Sequence, residues 1–358
     1  MLKCSNRFYL IFILFVFALI ITWSITGCGG EEETDKEKDP DKEVKKEDPK
    51  EDKEDKDVNL DDIACHFCGA EEGHEFDVLK RPILVTYGNS SNERPHSGIS
   101  EACVVYELRV EGSHTRLLGL FNKDVPGDVG NIRSARLDFI PLALENDSYY
   151  VHVGGHQLAL NRIDRIGLPS LNEFRHAGFW RSDDRRAPYN VHTEISQLVD
   201  SADSQGYRED GDREVFLDFR DEESMSNPSD EVSEVQIYYG SNFNVINYEY
   251  QEDEGVYLRK VDNEPHLDRE HDQEVKATNI IIQYANSRVI DDVGRRDIDL
   301  IGNGEGIYIS KGEMIPITWE KESEEAKTKF YDENGDQIKL YPGQTWINVV
   351  EEDKVTVE

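Results

Sequence analysis

Four kinds of hydrophobic pattern follow one another along this chain. Residues 8–25 are almost wholly apolar behind Lys3 and Arg7, and the run closes on Ile25-Thr26-Gly27-Cys28. It is about long enough to span a bilayer, so one reading is an uncleaved N-terminal anchor. Small residues directly before a cysteine favour the other reading, a lipoprotein signal at 1–27 removed as Cys28 is acylated. Residues 28–62 then carry almost nothing apolar. Such a segment cannot bury enough surface to offset its ordering entropy, and its charges repel one another, which predicts an extended, disordered tether.

From residue 83 the pattern alternates. Apolar runs at 83–87, 117–121 and 149–153 read as strands, the first ending in the polar turn Gly88-Asn89-Ser90-Ser91. Ser100 reads as the cap of a helix over 101–111 that Gly112 stops. Ser134 reads as the cap of a second helix running to about 146, with Pro141 shifting its start or kinking it, and a third covers 156–166. Strands and helices at this spacing predict a layered α/β domain over 63–208 with a mixed or mostly parallel sheet.

A polar connector follows at 209–233, after which the period becomes two. Short strands are expected at 235–239, 245–250, 256–261, 279–284, 306–309, 315–319, 329–332 and 345–350. They predict a mostly β domain over 234–352 and a short tail at 353–358. The fold class is α+β overall.

Charge changes the picture of the surface. The formal net charge is −35, and 17 acidic against 8 basic residues lie between 31 and 62. Residues 63–358 still carry −28, which repels nucleic acid and anionic lipid. No nucleic-acid partner is expected. The acidity fits a salty or alkaline exterior, with a cationic ligand or partner as the alternative.

Of five cysteines, Cys4 lies in the leader and Cys28 is the acylation site, leaving Cys65, Cys68 and Cys103. Cys65-His66-Phe67-Cys68, with His74 nearby, is half of a zinc site, but no second pair follows. An oxidising exterior favours a disulfide, Cys65–Cys68 or one of these to Cys103; zinc and free thiols stay open. No His follows Cys68, so this is not c-type haem attachment, and no cofactor is expected.

Candidate chemistry collects where an open α/β sheet binds ligands, beyond the carboxyl ends of its strands. Asn89 and Arg94 follow the first strand, Arg133, Ser134 and Arg136 the second, and His152 with Gly154 and Gly155 closes the third. Gly155 at a helix start offers backbone N–H groups to an anion. Each has a plainer account, arginines as surface or salt-bridged groups and His152 as a satisfied core histidine. Glu107 and Glu111 share a face in helix or strand. Two carboxylates in a cleft divide acid and base roles when their surroundings separate their pKa values. Beside the arginines they read as counter-charges in a buried network, the preferred account. The chain has no G-x-S-x-G, H-E-x-x-H, Walker or G-x-G-x-x-G motif. Trp180, Trp319 and Trp346 are candidates for sugar stacking, though single aromatics are more often core.

The strings Arg94-Pro95-His96-Ser97-Gly98, Val105-Tyr106-Glu107, Val110-Glu111-Gly112, Thr115-Arg116, Ile132-Arg133-Ser134-Ala135-Arg136 and Val151-His152-Val153-Gly154-Gly155 together resemble the YerB-like bacterial lipoproteins. Ala187-Pro188-Tyr189-Asn190, Arg296-Asp297, Gly302-Asn303-Gly304, Trp319-Glu320-Lys321 and Pro342-Gly343-Gln344-Thr345-Trp346 extend the likeness over roughly 80–350. The resemblance implies a lipid-anchored protein of Gram-positive-type bacteria with an α/β domain and a C-terminal domain that occur together. It supplies no catalytic residues. His96 stands where a Gln is expected, and Cys68 where a Thr is, which favours a local disulfide over a family-wide cysteine function.

The expectation is a lipoprotein on the extracytoplasmic face of the cell membrane, binding peptidoglycan or a wall polymer through Arg94, Arg133, Arg136 and His152. The alternative is a cell-wall glycan-processing enzyme using Glu107 and Glu111 as acid and base, with His152 orienting substrate. A regulator of an envelope protein partner is the third reading.

Overall fold

Most of the apolar runs fold as strands of one eleven-stranded mixed sheet. The computed structural model describes residues 65–69, 80–122, 127–211, 217–220, 228–240 and 244–358. The apolar leader, Cys28, the charged tether and His74 lie outside the described residues. Among those described, no helix is long and apolar enough to cross a membrane.

The first half supplies β1 (Ile83–Gly88), β2 (Val104–Arg109), β3 (Thr115–Phe121), α1 (Ile140–Glu145), β4 (Tyr149–His152), α2 (Gln157–Ile166), β5 (Ser170–Asn172) and α3 (Ile195–Ser204). The second half supplies β6 (Glu234–Tyr238), β7 (Val245–Gln251), β8 (Val256–Val261), β9 (Asn279–Tyr284), β10 (Gly302–Ser310), β11 (Glu313–Lys321), β12 (Thr345–Val350) and β13 (Val355–Val357). The large sheet runs β11-β10-β9-β12-β2-β3-β1-β4-β5, and two short strands, Asp230–Glu231 and Lys329–Tyr331, pair with β11 to complete the eleven. Its centre is β12, which pairs in parallel with β9 on one side and β2 on the other, so that Trp346 stands opposite both Ile280 and Val105. Strands from both halves therefore share one hydrogen-bonded sheet.

Side-chain alternation along β2 explains the layering. Val104, Tyr106 and Leu108 point into the core shared with Phe139, Ile140 of α1 and Ala159 and Ile163 of α2. Val105 points the other way, among Trp346, Ile280, Tyr248 and Tyr257, where a second sheet of order β8-β7-β6-β13 packs. Burying one such large apolar side chain contributes about 1.5–3 kcal/mol.

Two expectations are corrected. The helix over 101–111 is instead a 3₁₀ turn, Ile99–Glu101, followed by β2 in a hairpin with β3. A short apolar run buried on both faces has no period that separates strand from helix, and Val104-Val105-Tyr106 is rich in the residues a pleated surface favours. Gly112, at φ 62°, turns the hairpin rather than ending a helix. Ser134 caps nothing: the second helix begins only at Ile140, with Pro141 in its first turn, where its missing N–H costs nothing. The first half is accordingly not a clear layered α/β domain. Its sheet is mixed, antiparallel across β2-β3-β1 and parallel across β1-β4-β5. Later strands follow the alternation, β9 and β12 at the bounds it predicts.

Candidate functional site

Following the pairings, β1, β2, β4, β5, β9 and β12 all run in one direction, so one edge of the sheet gathers their carboxyl ends. The candidate residues separate there into a sealed network and an open cleft.

The sealed network centres on Glu107, which is completely buried. Asn89 Nδ2 and Thr115 Oγ1 donate to its Oε1 at 3.0 and 2.7 Å, and Arg259 Nη2 of β8 donates to Oε2 at 2.6 Å. Neither side chain of this ion pair reaches solvent. Arg259 lies 4.5 Å from the Trp346 ring centroid. Its Nη1 faces His266 Nδ1 at 2.6 Å, His266 Nε2 faces His96 Nδ1 at 2.6 Å, and His96 Nε2 meets the Gly88 carbonyl. A guanidinium only donates and a carbonyl only accepts, so this order assigns both histidines as neutral with the proton on Nε2. Burial agrees, pushing His96 down to about 4 and His266 well below its ordinary value. Arg94 closes the top, donating to the Asn89 carbonyl at 2.8 Å and facing Asp262 at 3.6 Å. Asn89, Arg94 and Glu107 thus tie the two halves together, Asn89 and Glu107 out of reach of a ligand and Arg94 partly exposed at the rim.

The open cleft lies past the end of β2. Glu111 and Arg136 form a bidentate pair, Nε to Oε1 at 2.8 Å and Nη2 to Oε2 at 3.0 Å. Burial works to raise the Glu111 pKa, but Arg136 outweighs it and holds the carboxyl below its usual range. Both residues line a narrow, shallow cleft with Asp138, His156, Arg295 and Arg296. Asp138 behaves oppositely, pushed up to about 6 chiefly by burial.

Behind this pair stand Arg116 and Arg133. Arg133 Nε lies 2.7 Å from Glu93 Oε1, and its guanidinium sits 5.1 Å from the Tyr189 ring centroid. Glu93 is buried and accepts the Ser90 N–H at 2.7 Å. Gly88 makes room for it, since a Cβ there would stand 2.0 Å from Glu93 Oε1. Arg116, its side chain only 9% exposed, reaches Glu93 at 3.9 Å. Its Nη1 donates to the Thr115 carbonyl at 3.2 Å, while its Nε is buried without a hydrogen-bond partner among the described residues. Burial, with Arg133 and Arg136 nearby, pushes it down to about 10 against the pull of Glu93.

Other candidates have internal roles. His152 is buried, its Nδ1 donates to the Gly154 carbonyl at 2.6 Å, and burial pushes it to about 4, which makes it a neutral core histidine. The Gly154 N–H donates to Asn172 Oδ1 at 2.9 Å and is not offered to an anion. Gly155 lets the start of α2 approach Ala135, whose Cβ a side chain there would meet at 3.0 Å. Ser134 contributes its carbonyl to Arg136 Nη1 at 3.3 Å. Trp319 and Trp346 are core, and Trp180 lies in a short strand, half-buried. Cys65, Cys68 and Cys103 do converge, with their Sγ atoms within 4.8 Å of one another.

Sequence reasoning missed Glu93, Asp138, Arg259 and His266. Arg259 and His266 meet Glu107 and His96 across sequence separations of 152 and 170, which no local pattern reports. Glu93 sits next to Arg94 in a polar turn, and an acidic residue among arginines was the available signal.

Comparison with known proteins covers both halves. The model of the N-terminal domain of a protein of unknown function, DUF3048, matches residues 67–208, and that of its C-terminal domain matches 235–347. The chain is 32% identical over 275 residues to the putative lipoprotein YerB of Bacillus subtilis strain 168, covering 76% of this chain and 81% of that protein. The crystal structure of the YerB protein from Bacillus subtilis matches with a TM-score of 0.73 at 31% identity, over 82% of this chain and 98% of the crystallised one.

Proposed function

The chain belongs to the DUF3048 family, and from its cleft we propose that it is a membrane-anchored extracytoplasmic lipoprotein that binds an anionic, polyhydroxyl wall polymer. Cys28 is the proposed lipid attachment point, in line with the lipoprotein designation of the Bacillus relative. The observation that carries the ligand class is Arg116. In a body of charge −28, Arg116, Arg133 and Arg136 converge on one strand edge, with Glu93 and Glu111 as their ion-pair partners among the described residues. Arg116 stays buried with Nε unpartnered among the described residues. A buried guanidinium with an unfilled donor and a counter-charge as far off as 3.9 Å is costly. A phosphate or carboxylate entering beside Arg136 relieves it, because guanidinium groups bind such anions through paired, charge-assisted hydrogen bonds.

The test is co-sedimentation of the full chain with wall sacculi, either carrying their phosphate-bearing polymers or acid-stripped of them. Binding is expected only to the first, and it falls as salt rises. Arg136→Gln removes a bidentate contact and weakens binding by about ten- to a hundredfold. Equal binding to both sacculi contradicts the anionic polymer and favours the glycan itself.

One observation favours a second reading, a glycan-processing enzyme. Asp138, raised to about 6, and Glu111, held low, line the same cleft. Divided environments of this kind separate an acid from an ionised partner. That reading predicts soluble glycan fragments, detected by mass spectrometry, that disappear in Asp138→Asn. Glu111→Gln separates the two readings: it frees Arg136 and strengthens binding severalfold in a binding protein, and abolishes turnover in an enzyme.

A further inference from the structure

Three sulfur atoms meet where the loop 65–69 reaches the start of β2. Cys65 and Cys103 are buried with their Sγ atoms 3.6 Å apart, Cys68 is half-buried, and none of the three is disulfide-bonded. All three Sγ atoms lie within 4.8 Å of one another.

Backbone contacts hold each sulfur's carrier in place. The Gly69 N–H donates to the Cys65 carbonyl at 2.9 Å and closes the loop. Gly69 has φ 63°, and a Cβ there would come within 2.7 Å of the Phe219 ring, so the Cys-x-x-Cys-Gly turn depends on glycine. The Cys68 carbonyl accepts the Gly343 N–H at 2.8 Å. Cys103 donates its N–H to the Leu120 carbonyl at 2.8 Å and accepts the Thr345 N–H at 3.0 Å. Two sulfurs are thus presented by a tight loop and the third by the sheet.

We propose that Cys65, Cys68 and Cys103 form a three-thiolate Zn²⁺ site that pins the loop 65–69 to the central sheet. In a tetrahedral zinc site with Zn–S bonds of about 2.3 Å the sulfurs stand roughly 3.8 Å apart, close to the Cys65–Cys103 separation. A disulfide uses two sulfurs and strands the third beside it, whereas a tetrahedral cation uses all three. The fourth position goes to water. Coordination displaces the thiol protons, so occupancy rises with pH.

The test uses the full chain in detergent, purified under reducing conditions, loaded with Zn²⁺ and freed of excess metal. Elemental mass spectrometry is expected to find about one zinc per chain, and Cys68→Ser and Cys103→Ser to lose most of it. Cys68→Ser lies at a half-buried position and serves as the folded control, checked by circular dichroism. Loading with Co²⁺ is expected to give an intense thiolate charge-transfer band that weakens in both variants. A chelator is expected to lower the Tm of the unsubstituted chain and leave that of Cys68→Ser unchanged. Absence of bound metal overturns the proposal, as does zinc retained equally in both variants. So does a Cys65–Cys103 or Cys65–Cys68 disulfide, found by peptide mass mapping, that persists in the zinc-loaded chain.

Discussion

Glu107 and Glu111 stand four residues apart, each paired with an arginine, and the two pairs differ in nearly everything else. Glu107 lies inside β2 on the face covered by the second sheet, completely buried, with Arg259, Asn89 and Thr115 filling its acceptor sites. Glu111 lies just beyond the strand's end, its side chain 25% exposed, gripping Arg136 at the mouth of a cleft. The same chemistry is structural in one place and available in the other, and depth beneath the sheet edge decides which. A buried pair is costly to break because the remaining charge has no solvent to turn to. A partly exposed pair exchanges its partner for water or a ligand at little cost.

The largest expected effect is on the sealed side. Arg259→Met strips the buried Glu107 of its partner and is expected to cost about 3–5 kcal/mol, read as a lower urea midpoint. Replacing both partners, Glu107→Leu with Arg259→Met, is expected to recover much of that loss. If the single and double variants are equally unstable, stranding of a charge is not the cause.

Acid comes next. Burial pushes His96 down to about 4 in the fold against 6.5 as an ordinary histidine, and holds His266 well below its ordinary value. Between those values the unfolded chain binds more protons than the folded one. Stability is therefore complete above about 6.5 and falls as the pH drops towards 4, by on the order of 3 kcal/mol for His96. His152 shifts the same way, so the comparison needs His96→Gln, which should lower the slope of stability against pH over that window and leave the share of the other two histidines. An unchanged slope would remove His96 from the account.

Gly88→Ala brings a Cβ against Glu93 and is expected to cost about 1–3 kcal/mol, as overpacking does. It should also weaken polymer binding by displacing the carboxylate that orients Arg133. Normal binding by a destabilised Gly88→Ala would separate Glu93 from the site. The smallest stability effect belongs to Glu111→Gln, under about 1 kcal/mol because the pair is partly exposed. A larger loss in thermal melts would erase the contrast between the two glutamates.

The sequence carried the strands well and the contacts between them poorly. Residues 279–284 and 345–350 announce themselves by period two and strong β formers. The placement of 345–350 at the centre of one sheet, beside β2, depends on pairings across more than 200 residues and leaves no local mark. The region 101–111 misleads because Val104–Leu108 is buried on both faces, and burial on both faces erases the period that separates strand from helix. The candidate site was half legible. Arg133, Arg136 and Glu111 do meet at the strand edge, because an edge is fixed by where strands end. Asn89 and His152 come from the same edge but turn inward, Asn89 onto the Glu107–Arg259 pair that the second half completes and His152 onto the Gly154 carbonyl.

If the Glu107 pair holds the fold and the Arg136 cleft the ligand, lesions in the two separate in one binding assay. Co-sedimentation with polymer-bearing sacculi tests this most directly, comparing Arg136→Gln with the Glu107→Leu, Arg259→Met double variant where circular dichroism shows both folded. The prediction is that Arg136→Gln loses most of its binding and the double variant binds like the unsubstituted chain. Loss of binding in the double variant with retention in Arg136→Gln would contradict the assignment and move the ligand to the buried network.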